Sequence, residues 1–128
     1  MVRLTPILLT WEDVGNAIKV LTDKIKKSKL KFDGIYGIPR GGLPIAVALS
    51  HTLGLPLLLH PTKNTLVVDD ISDRGYTLQS YKNRKIACLY TSNWTVTVPD
   101  FYVLKKEHKT DWIIFPWENY KTEIGGKK

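Results

Sequence analysis

Short apolar runs of strand type alternate along this chain with segments of helical spacing, and that alternation restricts the fold more than any other feature. Thr10 stands ahead of "WEDVGNAIKVLTDKIKKS" with Asp13 close behind, near to a capping box, while Val14, Ile18, Leu21 and Ile25 recur at helical spacing. An amphipathic helix is predicted there. "FDGIYGI" reads as a strand, "GGLPIAVALSHTLG" as a helix ending at Gly54, and "LPLLL" as a second, buried strand. After the polar link "HPTKNT" come the strand "LVVDD", a short helical piece around "YTLQSY", and the strand "KIACLYT". "FYVLKK" and "WIIFPW" are two further strands, and "KTEIGGKK" is a frayed tail. Strands alternating with helices imply right-handed crossovers. The expected architecture is α/β, a mostly parallel sheet flanked by helices.

At 128 residues and 43% hydrophobic content the chain suits one domain with its own core, residues 1–120, followed by a flexible tail, 121–128. No apolar run is long enough to cross a bilayer, and the N-terminus lacks the pattern of a signal peptide. A cytoplasmic location without membrane contact is expected. Cys88, the one cysteine, lies in the apolar run "KIACLY" and reads as a buried small hydrophobe. The formal charge of +7 favours phosphorylated or polyanionic partners. No nucleic-acid-binding motif is present, so nucleic acid is not the expected partner, and Lys24, Lys26, Lys27, Lys29 and Lys31 read as a solvated helix end.

Open parallel sheets bind ligands beyond the carboxyl ends of their strands. Two segments should meet there, "GIPRGGLP" and "DDISDRGYT". In the first, Gly41 and Gly42 permit a backbone tight enough to present amides to an anion, and Arg40 adds a planar cationic fork; a plain Gly/Pro turn is the alternative. Neither the Rossmann fingerprint nor the Walker A pattern fits. In the second, the adjacent carboxylates Asp69 and Asp70 repel unless something cationic or hydroxyl-rich lies beside them, which suits ribose hydroxyls or a magnesium ion. Asp73, Arg74, Gly75, Tyr76 and Thr77 form a loop opening a helix, with backbone amides and a hydroxyl for a terminal phosphate. Helix capping accounts for Asp73 and leaves Asp69 and Asp70 unexplained.

"LVVDDISDRGYT" resembles the ribose-phosphate signature of the type I phosphoribosyltransferases: an apolar strand, two acidic residues, two variable positions and Asp-Thr-Gly-x-Thr, with Arg74 where threonine is usual. The resemblance implies a cradle for 5-phosphoribosyl 1-pyrophosphate. Asp69 and Asp70 would hold the ribose hydroxyls and Mg2+, the loop 73–77 the 5-phosphate, and Asp73 would be the candidate catalytic proton acceptor. "PRGGLP" is similar to the pyrophosphate loop of the xanthine-guanine branch, which implies that Pro39, Arg40, Gly41 and Gly42 contact the pyrophosphate and that the Pro39–Arg40 peptide is cis. "DWIIFPWE" is similar to the hood of the purine enzymes, within about residues 99–120. Trp112 would stack on the base, Ile113 would offer it backbone hydrogen bonds, and Glu118 would lie near the metal.

The implied reaction is transfer of the 5-phosphoribosyl group to guanine, xanthine or hypoxanthine, giving a nucleoside monophosphate and pyrophosphate, as in purine salvage. Two departures from the family stand out. The long mobile loop between the second and third core strands is replaced by "HPTKNT", and Thr91 takes the place of the lysine that reads the 6-oxo group. A protein of the same fold that binds phosphoribosyl pyrophosphate or a nucleotide as a regulator, with little turnover, is the alternative. The family likeness also implies a homodimer or higher oligomer, with Trp94 in "SNWTVT" a candidate contact residue.

Overall fold

The computed structural model describes residues 3–119. In chain order these form β1 (Thr5–Leu8), α1 (Trp11–Ser28), β2 (Gly34–Gly37), α2 (Gly42–Leu53), β3 (Thr65–Ser72), a 3₁₀ turn (Thr77–Tyr81), β4 (Ile86–Ser92), β5 (Leu104–Lys106) and β6 (Asp111–Ile114). β2, β3, β4 and β5 make one sheet in that spatial order, and β1 and β6 make a second; every pairing is parallel. The expected α/β architecture is the one observed.

α1 begins with a complete capping box. The Asp13 amide donates to the Thr10 hydroxyl at 3.0 Å, and the Thr10 amide donates to the Asp13 carboxylate at 2.9 Å. Lys29 ends the helix in the left-handed region, at φ 61°. Its buried face, Val14, Ala17, Leu21 and Ile25, packs with Ile45, Ala46 and Leu49 of α2 over Leu66, Val68, Ala87 and Leu89 of the sheet. Strand alternation turns Val67, Ile86 and Cys88 to the opposite face, where Leu78 of the 3₁₀ turn covers them with Tyr36 and Tyr81 alongside. Ile113 and Phe115 belong to the larger core, so the two-stranded sheet is anchored on the same packing as the main one.

Several elements differ from expectation. "LPLLL" is not a buried strand. Leu57 makes a lone bridge to Ile35, and Leu57 and Leu59 are exposed. The segment lies at the sheet edge, where Pro56 contributes a carbonyl to Ile35 and has no N–H to continue a ladder. β3 runs on past "LVVDD" to Ser72, because Ile71 and Ser72 keep pairing with Tyr90 and Thr91 of β4. The helical piece after it is a single 3₁₀ turn. "FYVLKK" divides into a bridge at Phe101 and the short β5. β1 was not foreseen; its Pro6 weakens a local strand signal, and its pairing with β6 brings residues from near the start of the chain into the hood. The tail 121–128 lies outside the described residues.

The capping box supplies the clearest test of local order. Thr10→Ala should lower the unfolding free energy by about 1 kcal/mol in urea titration, with an unchanged denaturant slope.

Candidate active site

The site is built around the carboxyl end of β3. Here the turn from β2 into α2 crosses the strand: the Ile38 amide donates to the Val68 carbonyl at 2.9 Å, and the Gly42 amide to the Ile38 carbonyl at 2.9 Å. A methyl group on Gly42 would strike the Val68 carbonyl, and one on Gly41 would run into the Asp70 carboxylate. Only glycine allows this approach. The Pro39–Arg40 peptide is cis, and Arg40 is exposed at the tip of the turn. The turn carrying Gly41 and Gly42 therefore lies directly against the carboxylate pair.

The loop 73–77 flanks the same pair from the other side. Its carbonyl oxygens are taken up by the segment 92–97: Asp73 accepts from the Ser92 hydroxyl at 2.5 Å, Arg74 from the Val96 amide at 2.8 Å, and Gly75 from the Thr97 hydroxyl at 2.6 Å. In a trans peptide the N–H points opposite to the C=O, so the amides of Arg74, Gly75 and Tyr76 turn away from that segment. They form a cradle of donors suited to an anion. Gly75 holds φ at 87°, and a side chain there would meet the Thr95 hydroxyl. Asp69, Asp73, Arg74, Gly75, Tyr76 and Thr77 line a cleft of about 520 Å³. Because the helix after the loop is one 3₁₀ turn, the cradle depends on the 92–97 segment and not on a helix dipole.

A second cleft, of about 300 Å³, shares Ile71 and Asp73 with the first and is lined further by Asp70, Lys106, Trp112, Ile113 and Glu118. Lys106 is buried, with 7% of its surface exposed. Its ammonium donates to Asp73 Oδ2 at 2.9 Å and lies 5.7 Å from the Trp94 ring centroid, while Trp94 Nε1 donates to Asp73 Oδ1 at 2.9 Å. Both oxygens of Asp73 are thus oriented, each with a lone pair still available. Trp94 is half-buried, and its indole N–H is committed to Asp73 within the chain. Thr91 is buried in β4 with its hydroxyl directed at the Ser72 carbonyl, 3.3 Å away, and it lines neither cleft. Lys106 carries no motif in the sequence, and Trp94 stands out there only as an aromatic in a polar context. Strand alternation was the available signal, because of two successive lysines on a strand one must face inward.

Burial raises the Asp69 carboxyl to a pKa of about 8, and the charge of Asp70 adds to the effect. Asp70 is also raised, chiefly by burial. Neither has an ion-pair partner among the described residues. This is the electrostatic state of a carboxylate pair that a hard cation would relieve, and Glu118, near enough to act on Asp70, adds a third acidic group. Among the described residues no cluster of three or more ligand side chains surrounds a common point. A magnesium ion would therefore take its remaining ligands from substrate and water, its usual preference. Cys88 is fully buried, and its thiol pKa is pushed well up, chiefly by that burial.

No family model matches the sequence. The chain is 36% identical to the purine phosphoribosyltransferase of Pyrococcus horikoshii Ot3, whose crystal structure superposes with a TM-score of 0.78 over 90% of this chain and 95% of that one. A xanthine-guanine phosphoribosyltransferase of Gluconobacter oxydans (strain 621H) is 26% identical, spanning 86% of this chain and 83% of its own. The xanthine-guanine-hypoxanthine phosphoribosyltransferase of Helicobacter pylori, 20% identical, shares the fold at a TM-score of 0.77, covering 94% of this chain and 99% of that one. No helix among the described residues is long and apolar enough to cross a membrane.

The pH dependence of stability tests the carboxylate pair. Asp69 has a folded-state pKa above its ordinary value of 3.8, so the folded form holds the proton more tightly. That stabilisation is complete below about pH 4 and is lost as the pH rises towards about 8. Asp69→Asn removes the titration. Its melting temperature should exceed the parent's at pH 8 by roughly 4 °C or more, the shift that about 1 kcal/mol produces at this chain length, and the gap should narrow at pH 5. A gap independent of pH would show that Asp69 is ionised throughout.

Proposed function

Because the chain belongs to the type I phosphoribosyltransferases, in their purine branch, we propose that it transfers the 5-phosphoribosyl group of 5-phosphoribosyl 1-pyrophosphate to a 6-oxopurine, guanine, xanthine or hypoxanthine, releasing pyrophosphate and a nucleoside monophosphate. One observation carries the reading. Two anion-binding turns from distant parts of the chain flank a single carboxylate pair, and the cleft beside it holds an aromatic ring and a buried ammonium. A sugar bearing phosphate at both ends fits the two turns, and a planar base fits the cleft.

In this reading the turn 39–42 receives the pyrophosphate, with Arg40 and the amides of Gly41 and Gly42 facing its charge. The loop 73–77 receives the 5-phosphate through its outward amides and the Thr77 hydroxyl. Asp69 and Asp70 receive the ribose hydroxyls and would hold the metal with Glu118 nearby. Magnesium bound there supplies neutralisation of the charge that builds on the leaving pyrophosphate. The C1–O bond to pyrophosphate breaks as a ring nitrogen of the base forms the C1–N bond. Asp73, fixed by Lys106 and Trp94, is placed to accept a proton from the base on a remaining lone pair.

Lys106 gives the base preference its physical basis. An ammonium has three N–H donors and no acceptor, and Asp73 takes one of them. What the other two require from a ligand is an acceptor, which an oxo group provides and an exocyclic amine does not. Trp112 would stack on the ring, with Ile113 beside it.

A second reading is favoured by the connection that precedes β3. It is held at the amino end of the sheet, where Arg84 Nε donates to the Thr62 carbonyl at 2.6 Å and the Thr62 hydroxyl bonds Asp33. It cannot serve as a lid over the carboxyl rim, a condition that suits a ligand-binding regulator with slow turnover. Against this, the P. horikoshii enzyme is covered over 95% of its length by a chain with the same short connection, which supports transfer by a compact enzyme.

Incubation with magnesium, phosphoribosyl pyrophosphate and single bases separates these readings by chromatography of the products. Nucleotide should form from at least one of hypoxanthine, guanine and xanthine, and not from adenine; bound phosphoribosyl pyrophosphate with no nucleotide from any base would favour the regulator. Lys106→Met should raise KM for the oxopurine roughly tenfold or more, corresponding to about 1.5–3 kcal/mol for a hydrogen bond from a charged donor, while KM for phosphoribosyl pyrophosphate stays the same.

A further inference from the structure

The carboxyl rim does not account for the net charge of +7, since its cations Arg40, Arg74 and Lys106 are offset by Asp69, Asp70, Asp73 and Glu118. A group of cations lies at the other end of the sheet. Three connections far apart in sequence meet there, one ahead of β2, one ahead of β3 and one ahead of β4. They bring Lys31, Lys63, Lys82, Arg84 and Lys85 to a single groove of about 300 Å³. The one carboxylate in its lining, Asp100, caps the Ile86 amide at 2.8 Å and lies 3.7 Å from Lys85. The nearby Asp33 accepts hydrogen bonds from the hydroxyls of Thr62 and Thr65.

A second concavity continues from this groove. The two share Leu30, Lys31 and Phe32, and the second adds Lys26 and Lys29 from the end of α1 over a floor that includes Leu53 and Leu55. Seven cations thus border one extended depression, and Leu30 exposes 45% of its surface within it.

We propose that this amino-end groove binds single-stranded RNA, independently of the substrate site on the opposite rim. The charge is spread over two adjoining depressions, so a single small anion would meet only part of it. A phosphodiester chain meets all of it. Lysines on flexible stems suit a backbone followed without sequence preference, and the apolar strip of Leu30 and Phe32 between the two cation groups offers a surface for unpaired bases. Asn64 and Asn83, also in the lining, add neutral donors and acceptors. A concave surface does not match the plane of a membrane.

The test is fluorescence anisotropy of the full chain with a labelled 20-nucleotide RNA. Binding is expected at 50 mM KCl and should weaken roughly a hundredfold at 200 mM, as about five phosphate contacts on a single strand require. Lys31→Glu, Lys63→Glu and Lys82→Glu, combined, should lower RNA affinity at least tenfold and leave phosphoribosyl transfer and the melting temperature near the parent's. Saturating magnesium and phosphoribosyl pyrophosphate should leave RNA affinity unchanged. The proposal is overturned if RNA fails to bind at 50 mM KCl, if the triple variant binds as tightly as the parent, or if substrate displaces the RNA. Polyglutamate of equal charge competing as well as unlabelled RNA would also overturn it, pointing to an acidic peptide as the partner.

Discussion

The approach of the Gly41–Gly42 backbone to the end of β3 is the contact on which the site depends. Val68 offers its carbonyl to Ile38 there, and the absence of side chains at 41 and 42 lets the start of α2 sit against Val68 and Asp70. If that turn stood a methyl group further out, its backbone would no longer lie against the carboxylate pair. The proximity also explains the unusual ionisation of the pair. Asp69 and Asp70 follow four fully buried residues of β3, and burial raises both above the ordinary carboxylate range. Such a pair is costly to leave charged without a cation or hydroxyls beside it. Poor stability of the charged pair and capacity to accept a cation or hydroxyls are two aspects of one geometry.

The second half of the site is held by an unusual scaffold. Segment 92–97 has little regular structure, yet its hydroxyls and amides secure three successive carbonyls of the loop 73–77, and its Trp94 orients Asp73. It does the work that a long helix would do if one followed the loop. Lys106 completes the arrangement from β5. Its burial is tolerable because a carboxylate and an indole face receive it, and the ammonium is thereby fixed at the edge of the smaller cleft. The hood depends on a comparable long-range contact, since β6 finds its partner in β1, some hundred residues earlier in the chain.

The molecule is polar along its strands. The carboxyl ends carry Asp69, Asp70, Asp73 and Glu118 together with Arg40, Arg74 and Lys106, whereas the groove at the amino ends, where three connections converge, is lined by five cations and one carboxylate. In a parallel sheet all strands start at one edge and finish at the other. Charges placed before strands and charges placed after them are therefore sorted onto opposite ends of the protein without any further device.

The chain's own order of residues determined the elements whose signals are local: α1 through its capping box and apolar spacing, β3 and β4 through their apolar runs, and the two tight turns through glycines that follow an arginine. It also determined the cis peptide through resemblance to a known turn. Tertiary structure alone decided the rest. "LPLLL" has the composition of a core strand and became an exposed edge, because strand burial depends on which neighbours cover it. β1 exists only because β6 pairs with it. Thr91 faces Ser72 and Lys106 reaches the cleft because the direction of a strand side chain follows from register with adjacent strands, a relation between residues distant in sequence. Spacing along the chain fixes what is near in sequence; what stands across a cleft is fixed only when the sheet is assembled.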